Sequence, residues 1–227
     1  MPLYYQDDFV TLYHGDCLTE HRGWLDADVL VTDPPYGILW DQRKGRYGND
    51  TTVNSRKIKA AVRNDEDTNA RDGALRDWGK RPAIVFGSWK RTAPAGVQHR
   101  LIWDKAGAYS GPLVSAFYSA DEEIYILGTG FIKSSPPQRS VIRTTEHRSV
   151  ATAQAGHPTP KPVDLMELLV ARCPDGIIAD PFSGSGSTLV AAKNLGRTAV
   201  GVEIEEKYCE IIAKRLSQDL LELEWTA

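Results

Sequence analysis

The sequence predicts an α/β domain, with a mixed, mostly parallel sheet and helices on both faces. Three observations predict it. Apolar, β-branched runs of strand length recur along the chain, among them Val29-Leu30-Val31-Thr32 and Ile177-Ile178-Ala179. The second run passes through a glycine-rich turn into a helical stretch, and another strand-like run follows at once, the alternation from which parallel sheets are built. With 227 residues, 41% of them apolar, the chain can bury one such core, so residues 1–227 are expected to form a single domain.

The elements are expected in this order. Strands lie at Thr11–His14, Val29–Thr32, Ala83–Phe86, Arg100–Trp103 and Glu122–Leu127. A helix spans Pro162–Arg172, where Pro162 suits the first turn and Asp164 the positive end of the dipole. Strand Ile177–Ala179, helix Thr188–Leu195 and strand Thr198–Val202 come next. The final helix, Glu205–Leu221, carries Tyr208, Ile211, Ile212 and Leu216 at helical spacing, so it packs on the sheet. Two stretches stand outside this pattern. Residues 37–54 are rich in Gly, Asn, Asp and Thr and predict a mobile loop, and residues 128–156 show little periodicity.

Composition narrows the class. No apolar run approaches membrane-spanning length, and the first residues lack the basic start and apolar core of a signal peptide, so a cytoplasmic protein is expected. Cys17, Cys173 and Cys209 form no Cys-x-x-Cys pair, which suits a reducing compartment and argues against a metal site. Net charge is −3, but its distribution is uneven. Residues 41–63 carry seven basic against two acidic side chains, and residues 133–161 five against one. Either stretch reads as a solvated face, or as a flank contacting nucleic-acid phosphates.

The chemistry concentrates in two turns. Asp33-Pro34-Pro35-Tyr36 follows the strand at Val29–Thr32, at the end where α/β sheets bind ligands. The prolines fix φ and offer no N–H, leaving carbonyls free to accept hydrogen bonds. A carboxylate, free carbonyls and an aromatic face suit a planar ring bearing an exocyclic amine. By itself the tetrapeptide reads equally as a Pro-Pro turn after a buried strand. The second turn, Pro181-Phe182-Ser183-Gly184-Ser185-Gly186-Ser187-Thr188, follows Asp180 between strand and helix, where backbone amides approach nucleotide-like ligands. Leu189 stands where a dinucleotide fingerprint needs its third glycine, and no lysine lies in the turn to make a P-loop. Glu203, 17 residues after Gly186, has about the spacing of an acid that grips ribose hydroxyls. The implied ligand has a ribose and needs no phosphate clamp.

Together these residues resemble the S-adenosylmethionine-dependent amino methyltransferases that act on DNA. Asp33-Pro34-Pro35-Tyr36 is similar to their catalytic motif, and Asp180 to Thr188 to their cofactor loop. The catalytic motif precedes the cofactor loop, as in the permuted β subgroup. In protein glutamine methyltransferases the related Asn-Pro-Pro-Tyr motif follows it. The resemblance runs from about Leu12 to about Leu216. It implies a Rossmann-like methyltransferase fold and catalytic roles for Asp33, Pro34, Pro35 and Tyr36. It implies cofactor contacts from Asp16, Cys17, Asp33, Thr159, Lys161, Asp180, Pro181, Phe182, Ser183, Gly184, Ser185, Gly186, Thr188 and Glu203. Leu101–Lys105 and Glu122–Leu127 resemble the middle strands and read as core.

The same resemblance makes S-adenosylmethionine the cofactor and double-stranded DNA, with a flipped-out base, the partner. It admits a homodimer and a place in restriction-modification, and requires no metal. Its recognition segment falls at residues 128–156, which is short for the family, so residues 37–71 are a second candidate. Arg43, Lys44, Arg46, Arg56, Lys57, Arg139, Arg143 and Arg148 are the expected DNA contacts. An Asp heading the catalytic motif leans towards adenine N6. The alternatives are cytosine N4, an RNA substrate, or a binding module that has lost turnover.

Overall fold

The computed structural model describes residues 3–38, 65–105, 120–144 and 160–224. Its elements are β1 (Leu3–Gln6), β2 (Val10–His14), a 3-10 turn (Gly23–Asp26), β3 (Val29–Thr32), α1 (Asn69–Trp78), β4 (Ala83–Gly87), β5 (Val97–Asp104) and β6 (Asp121–Leu127). Then follow β7 (Val141–Arg143), α2 (Val163–Val170), β8 (Ile178–Asp180), α3 (Ser187–Asn194), β9 (Ala199–Glu203) and α4 (Glu206–Glu224). The strands form one sheet in the order β1-β2-β9-β8-β3-β4-β6-β5-β7. Antiparallel pairing occurs at β1/β2, β4/β6 and β5/β6, so β1 and β6 run against the rest.

Side-chain alternation decides which face each strand residue serves. Val29, Val31, Ile84 and Phe86 point into the cluster that packs under Leu165 and Leu169 of α2, Leu189 of α3, and Ile212 and Leu216 of α4. Leu30, Ala83, Val85 and Val202 point the other way, against Trp24 and against Ala74 and Trp78 of α1. There the Trp24 and Trp78 rings stack with centroids 5.8 Å apart. Such a pair adds about 0.5–1.5 kcal/mol beyond its buried area.

The central crossing directs the site. From β8 the chain passes through α3 to β9 on one side of the sheet, and from β3 through α1 to β4 on the other. Between β8 and β3 the connections therefore diverge, and a crevice opens at the carboxyl ends of the strands.

Three elements were not expected from the sequence, and others have shifted bounds. β1 and β7 are edge strands, and β7 buries only Ile142. Short edge strands carry too few side chains to display a period. β7 also falls inside the stretch expected to be irregular. α1 starts at Asn69, so the candidate insertion at 37–71 ends in helix. Its buried residues are Ala70, Arg71, Gly73, Ala74 and Trp78, of which only the tryptophan gives a strong apolar signal. β8 and β9 each sit one residue later than expected, and α2 is shorter at both ends.

Candidate active site

Parallel registry brings four acidic residues to one edge. His14 lies opposite Glu203, Gly201 opposite Asp180, and Ala179 opposite Leu30. Asp16, Glu203, Asp180 and Asp33 consequently follow or end four adjacent strands.

At the end of β3, Asp33 is partly buried, its side chain 26% exposed. Its Oδ1 accepts from the Tyr36 hydroxyl at 2.8 Å, and its Oδ2 accepts from Lys161 Nζ. Lys161 also lies 3.2 Å from Glu122 Oε2, and Lys105 lies 2.6 Å from Glu122 Oε1. The Tyr36 hydroxyl is 3.0 Å from Glu122 Oε2, so its one proton is shared between two carboxylates. Two lysines and two carboxylates thus balance in a nearly closed pocket, the arrangement that makes buried charge tolerable. The Lys161 ammonium stands 5.5 Å from the Tyr36 ring centroid and 5.0 Å from that of Phe86.

These contacts shift the titrations. Burial pushes the Asp33 carboxyl up; the Lys161 charge opposes this and Glu122 adds to it. Burial alone would lower Lys161, but Asp33 and Glu122 together outweigh it and hold the ammonium above its ordinary range. Burial, then Asp33 and Glu122, push Tyr36 well up, so the phenol stays neutral.

Across the crevice, the buried Asp180 carboxylate ties the turn to β3, the strand that leads into Asp33. Its Oδ1 accepts from Thr32 Oγ1 at 2.7 Å and from the Phe182 N–H at 3.2 Å, and Thr188 also bonds the carboxylate. Burial raises it to about 6. Glu203 Oε2 accepts from Gly184 N–H at 2.7 Å, and Oε1 from Glu205 N–H at 2.9 Å. Burial pushes Glu203 to about 7. Gly184 has φ +51° and Gly186 φ +78°, a region L side chains avoid. A Cβ on Gly186 would lie 2.9 Å from Ile212, so glycine there lets α4 close on the turn.

Asp16 Oδ1 accepts from Leu18 N–H at 2.8 Å, and the Cys17 carbonyl accepts from Trp24 Nε1 at 2.9 Å. Ser187 Oγ donates to the Lys161 carbonyl at 2.7 Å, joining the glycine turn to the lysine that meets Asp33. The donor set fits a nucleoside carrying no phosphate. Carboxylates at the ends of adjacent strands match hydroxyl and amine groups, the half-buried Phe182 is an apolar neighbour, and the 180–188 turn contains no basic residue of its own, the nearby Arg215 donating to the Ser185 carbonyl.

Among the sequence candidates, Thr159, Arg43, Lys44, Arg46, Arg56, Lys57 and Arg148 lie outside the described residues. Arg139 is exposed before β7. Arg143 ends β7 at the carboxyl edge and is paired with Asp104 through Nε at 2.9 Å. β7 stands four strand positions from β3, about 19 Å at the usual spacing. The thiols of Cys17, Cys173 and Cys209 are buried, and burial raises Cys173 and Cys209 to about 12. Glu122 and Lys105 were expected only as core strand residues. Alternation held the signal, because a charged Glu122 shares its strand face with Ile124 and Ile126.

Comparison with known proteins bears on the family and the fold. The family model described as DNA methylase, for enzymes of the N6 and N4 type, matches residues 38–214, beginning two residues after Tyr36. YubD of Escherichia coli (strain K12), a protein designated a methylase, is 29% identical over 211 residues, 89% of this chain and 88% of its own. The type II methyltransferase M2.DpnII of Streptococcus pneumoniae is 46% identical over 65 residues, 28% of this chain and 24% of its own. This chain therefore aligns with about a quarter of that enzyme's length. Two solved structures share the fold. The M1.HpyAVI–SAM complex has a TM-score of 0.61 at 20% identity, covering 91% of this chain and 99% of that one. The cytosine-N4-specific PvuII DNA methyltransferase has 0.62 at 17%, covering 94% and 88%.

The sheet order and crevice thus define a Rossmann-like methyltransferase fold. The chain belongs to the DNA methylase family, the amino methyltransferases of adenine N6 and cytosine N4. S-adenosylmethionine is the methyl donor of that family, and DNA its substrate.

Proposed function

We propose that this protein methylates the N6 amine of adenine in DNA, on a base swung out of the duplex into the pocket at Asp33-Pro34-Pro35-Tyr36. The observation that carries the reading is the half-buried Asp33 carboxylate, held on one side by Tyr36 and on the other by Lys161. An exocyclic amine is a weak nucleophile because its lone pair is delocalised into the ring. Asp33 and the Pro34 carbonyl accept its two N–H bonds and favour a tetrahedral nitrogen. A charged acceptor is the stronger kind. The Tyr36 ring stacks on the base while its hydroxyl steadies Asp33.

Glu203 and Asp16 hold the ribose and adenine of S-adenosylmethionine, and the 180–188 turn wraps its nucleoside. That cofactor, when bound, supplies a methyl group on a positively charged sulfur, which leaves as a neutral thioether as the N–C bond forms. Asp33, raised by burial, takes the proton that the methylated amine sheds. Rate comes from positioning and a preorganised field. Swinging the base out costs a few kcal/mol. The basic residues Arg43, Lys44, Arg46, Arg56, Lys57, Arg139, Arg143 and Arg148 contact DNA phosphates.

Nucleoside mass spectrometry of unmethylated duplex DNA, incubated with the protein and S-adenosylmethionine, tests this. N6-methyladenine is expected. N4-methylcytosine would keep the mechanism and overturn the base. Cofactor binding without a methylated nucleoside would overturn the DNA reading.

A further inference from the structure

Trp89 is the most open of the large apolar side chains among the described residues, at 65% exposed. A single exposed apolar residue needs no explanation by itself. Its position does. Phe9 and Ile177 precede β2 and β8, and Leu195 follows α3, so all three stand at the edge away from the crevice. Trp89 stands in the turn leaving the carboxyl end of β4. β4 pairs directly with β3, Thr32 opposite Val85, which places this turn beside Asp33-Pro34-Pro35-Tyr36.

The turn is anchored to the catalytic one. Arg91 donates to the Gly37 carbonyl through Nε at 2.8 Å and again through Nη2. Arg91 N–H donates to the Ser88 carbonyl at 3.1 Å, closing the turn around Trp89 and Lys90. Behind it, Gly87 is pressed on Tyr125; a Cβ there would lie 2.4 Å from the ring. Lys90 Nζ sits 5.8 Å from the Trp89 ring centroid. An indole in solvent, with a cation beside it, is thus tied to the residue after Tyr36.

We propose that Trp89 stacks on a base of the DNA adjoining the target nucleotide, and that Lys90 meets the neighbouring phosphate. The proposal rests on the reading above. Swinging one base out uncovers the faces of its neighbours, and an aromatic side chain at the rim covers one of them. Stacking accepts any base, so this contact adds affinity without choosing sequence.

Initial rates of methyl transfer to unmethylated genomic DNA, over a range of DNA concentration, test it with Trp89→Ala, Trp89→Phe and Lys90→Ala. Trp89→Ala is expected to raise KM for DNA by about 5- to 150-fold. Its affinity for S-adenosylmethionine by calorimetry should stay within twofold of wild type. Trp89→Phe should restore most of the loss. Lys90→Ala should reduce the slope of log KM against log salt by about one ion. A Trp89→Ala protein whose KM for DNA stays within twofold of an active wild type overturns the proposal and leaves the function standing. A wild type that binds cofactor but transfers no methyl to DNA overturns both.

Discussion

Lys161 Nζ meets the carboxylate of Asp33, a residue 128 positions earlier, at the mouth of the crevice between β8 and β3. The contact makes Lys161 the cation that keeps a half-buried acid ionised. Lys161→Met would leave Asp33 with burial and Glu122, which push its carboxyl up, opposed only by the Tyr36 hydrogen bond. The acid limb of the pH–kcat profile should then move to higher pH by about one to three units. Activity on the acid side of the profile should fall and recover in part as the pH is raised. Lys161→Arg should keep the limb near its original place. A limb that stays put in the methionine variant would remove Lys161 from the control of Asp33.

Glu122 meets both lysines, which are 6% and 3% exposed, so it bears on stability as well as on the site. Replacing it by Gln removes one charge of a buried network, a change that costs about 3–5 kcal/mol. Denaturant unfolding should show an unfolding free energy lower by that amount, read as a lower midpoint with an unchanged slope. Equal stability would mean that water carries the charge of these lysines.

If Glu203 holds the cofactor as proposed, affinity for S-adenosylmethionine should depend on pH. As an acid raised from 4.5 to about 7, it is neutral in the fold below neutrality. In the cofactor-free protein its contribution to stability is therefore present at low pH and lost between about pH 4.5 and 7. If the ionised form grips the ribose, the Kd for S-adenosylmethionine should rise about tenfold from pH 8 to pH 6. Glu203→Gln should bind weakly and flatten that dependence. Calorimetry at the two pH values decides it.

Gly186→Val joins two penalties at one position. The backbone sits at φ +78°, and the new side chain would meet Ile212 from 2.9 Å outwards. The strained backbone alone costs about 1–3 kcal/mol. The variant should melt earlier and lose cofactor affinity together. Wild-type affinity in a folded Gly186→Val protein would show that the turn does not hold the cofactor.

Much of this architecture was legible because the central strands announce themselves. Val29–Thr32 and Ile178–Asp180 are buried on both faces, so they read as unbroken apolar runs with a turn at the end. The two turns of the site could be read for the same reason. α1 gave no clear signal because four of its five buried residues are Ala70, Arg71, Gly73 and Ala74, and β7 because three residues cannot display a period. The charged side of the pocket was the larger omission. Glu122 lies in β6 and Lys105 just past β5, in stretches whose sequence reads as core, and only tertiary pairing brings Lys105 and Lys161 together on Glu122. Trp89 was invisible for a related reason: nothing near it in sequence says that β4 lies beside β3.

The hydrogen bond from Thr32 to Asp180 links residues 148 apart, and it joins the two strands that flank the crevice. A ribosome adds about 5–20 residues per second, so β3 would wait roughly 7–30 s after its own synthesis for β8 to be made. Until then its apolar edge lacks the neighbour that covers it. Contacts so distant along the chain also slow folding after synthesis. The pocket that unites Asp33 with the glycine turn is thus among the last parts of the molecule able to form, and a nascent chain stopped short of residue 178 would lack it altogether.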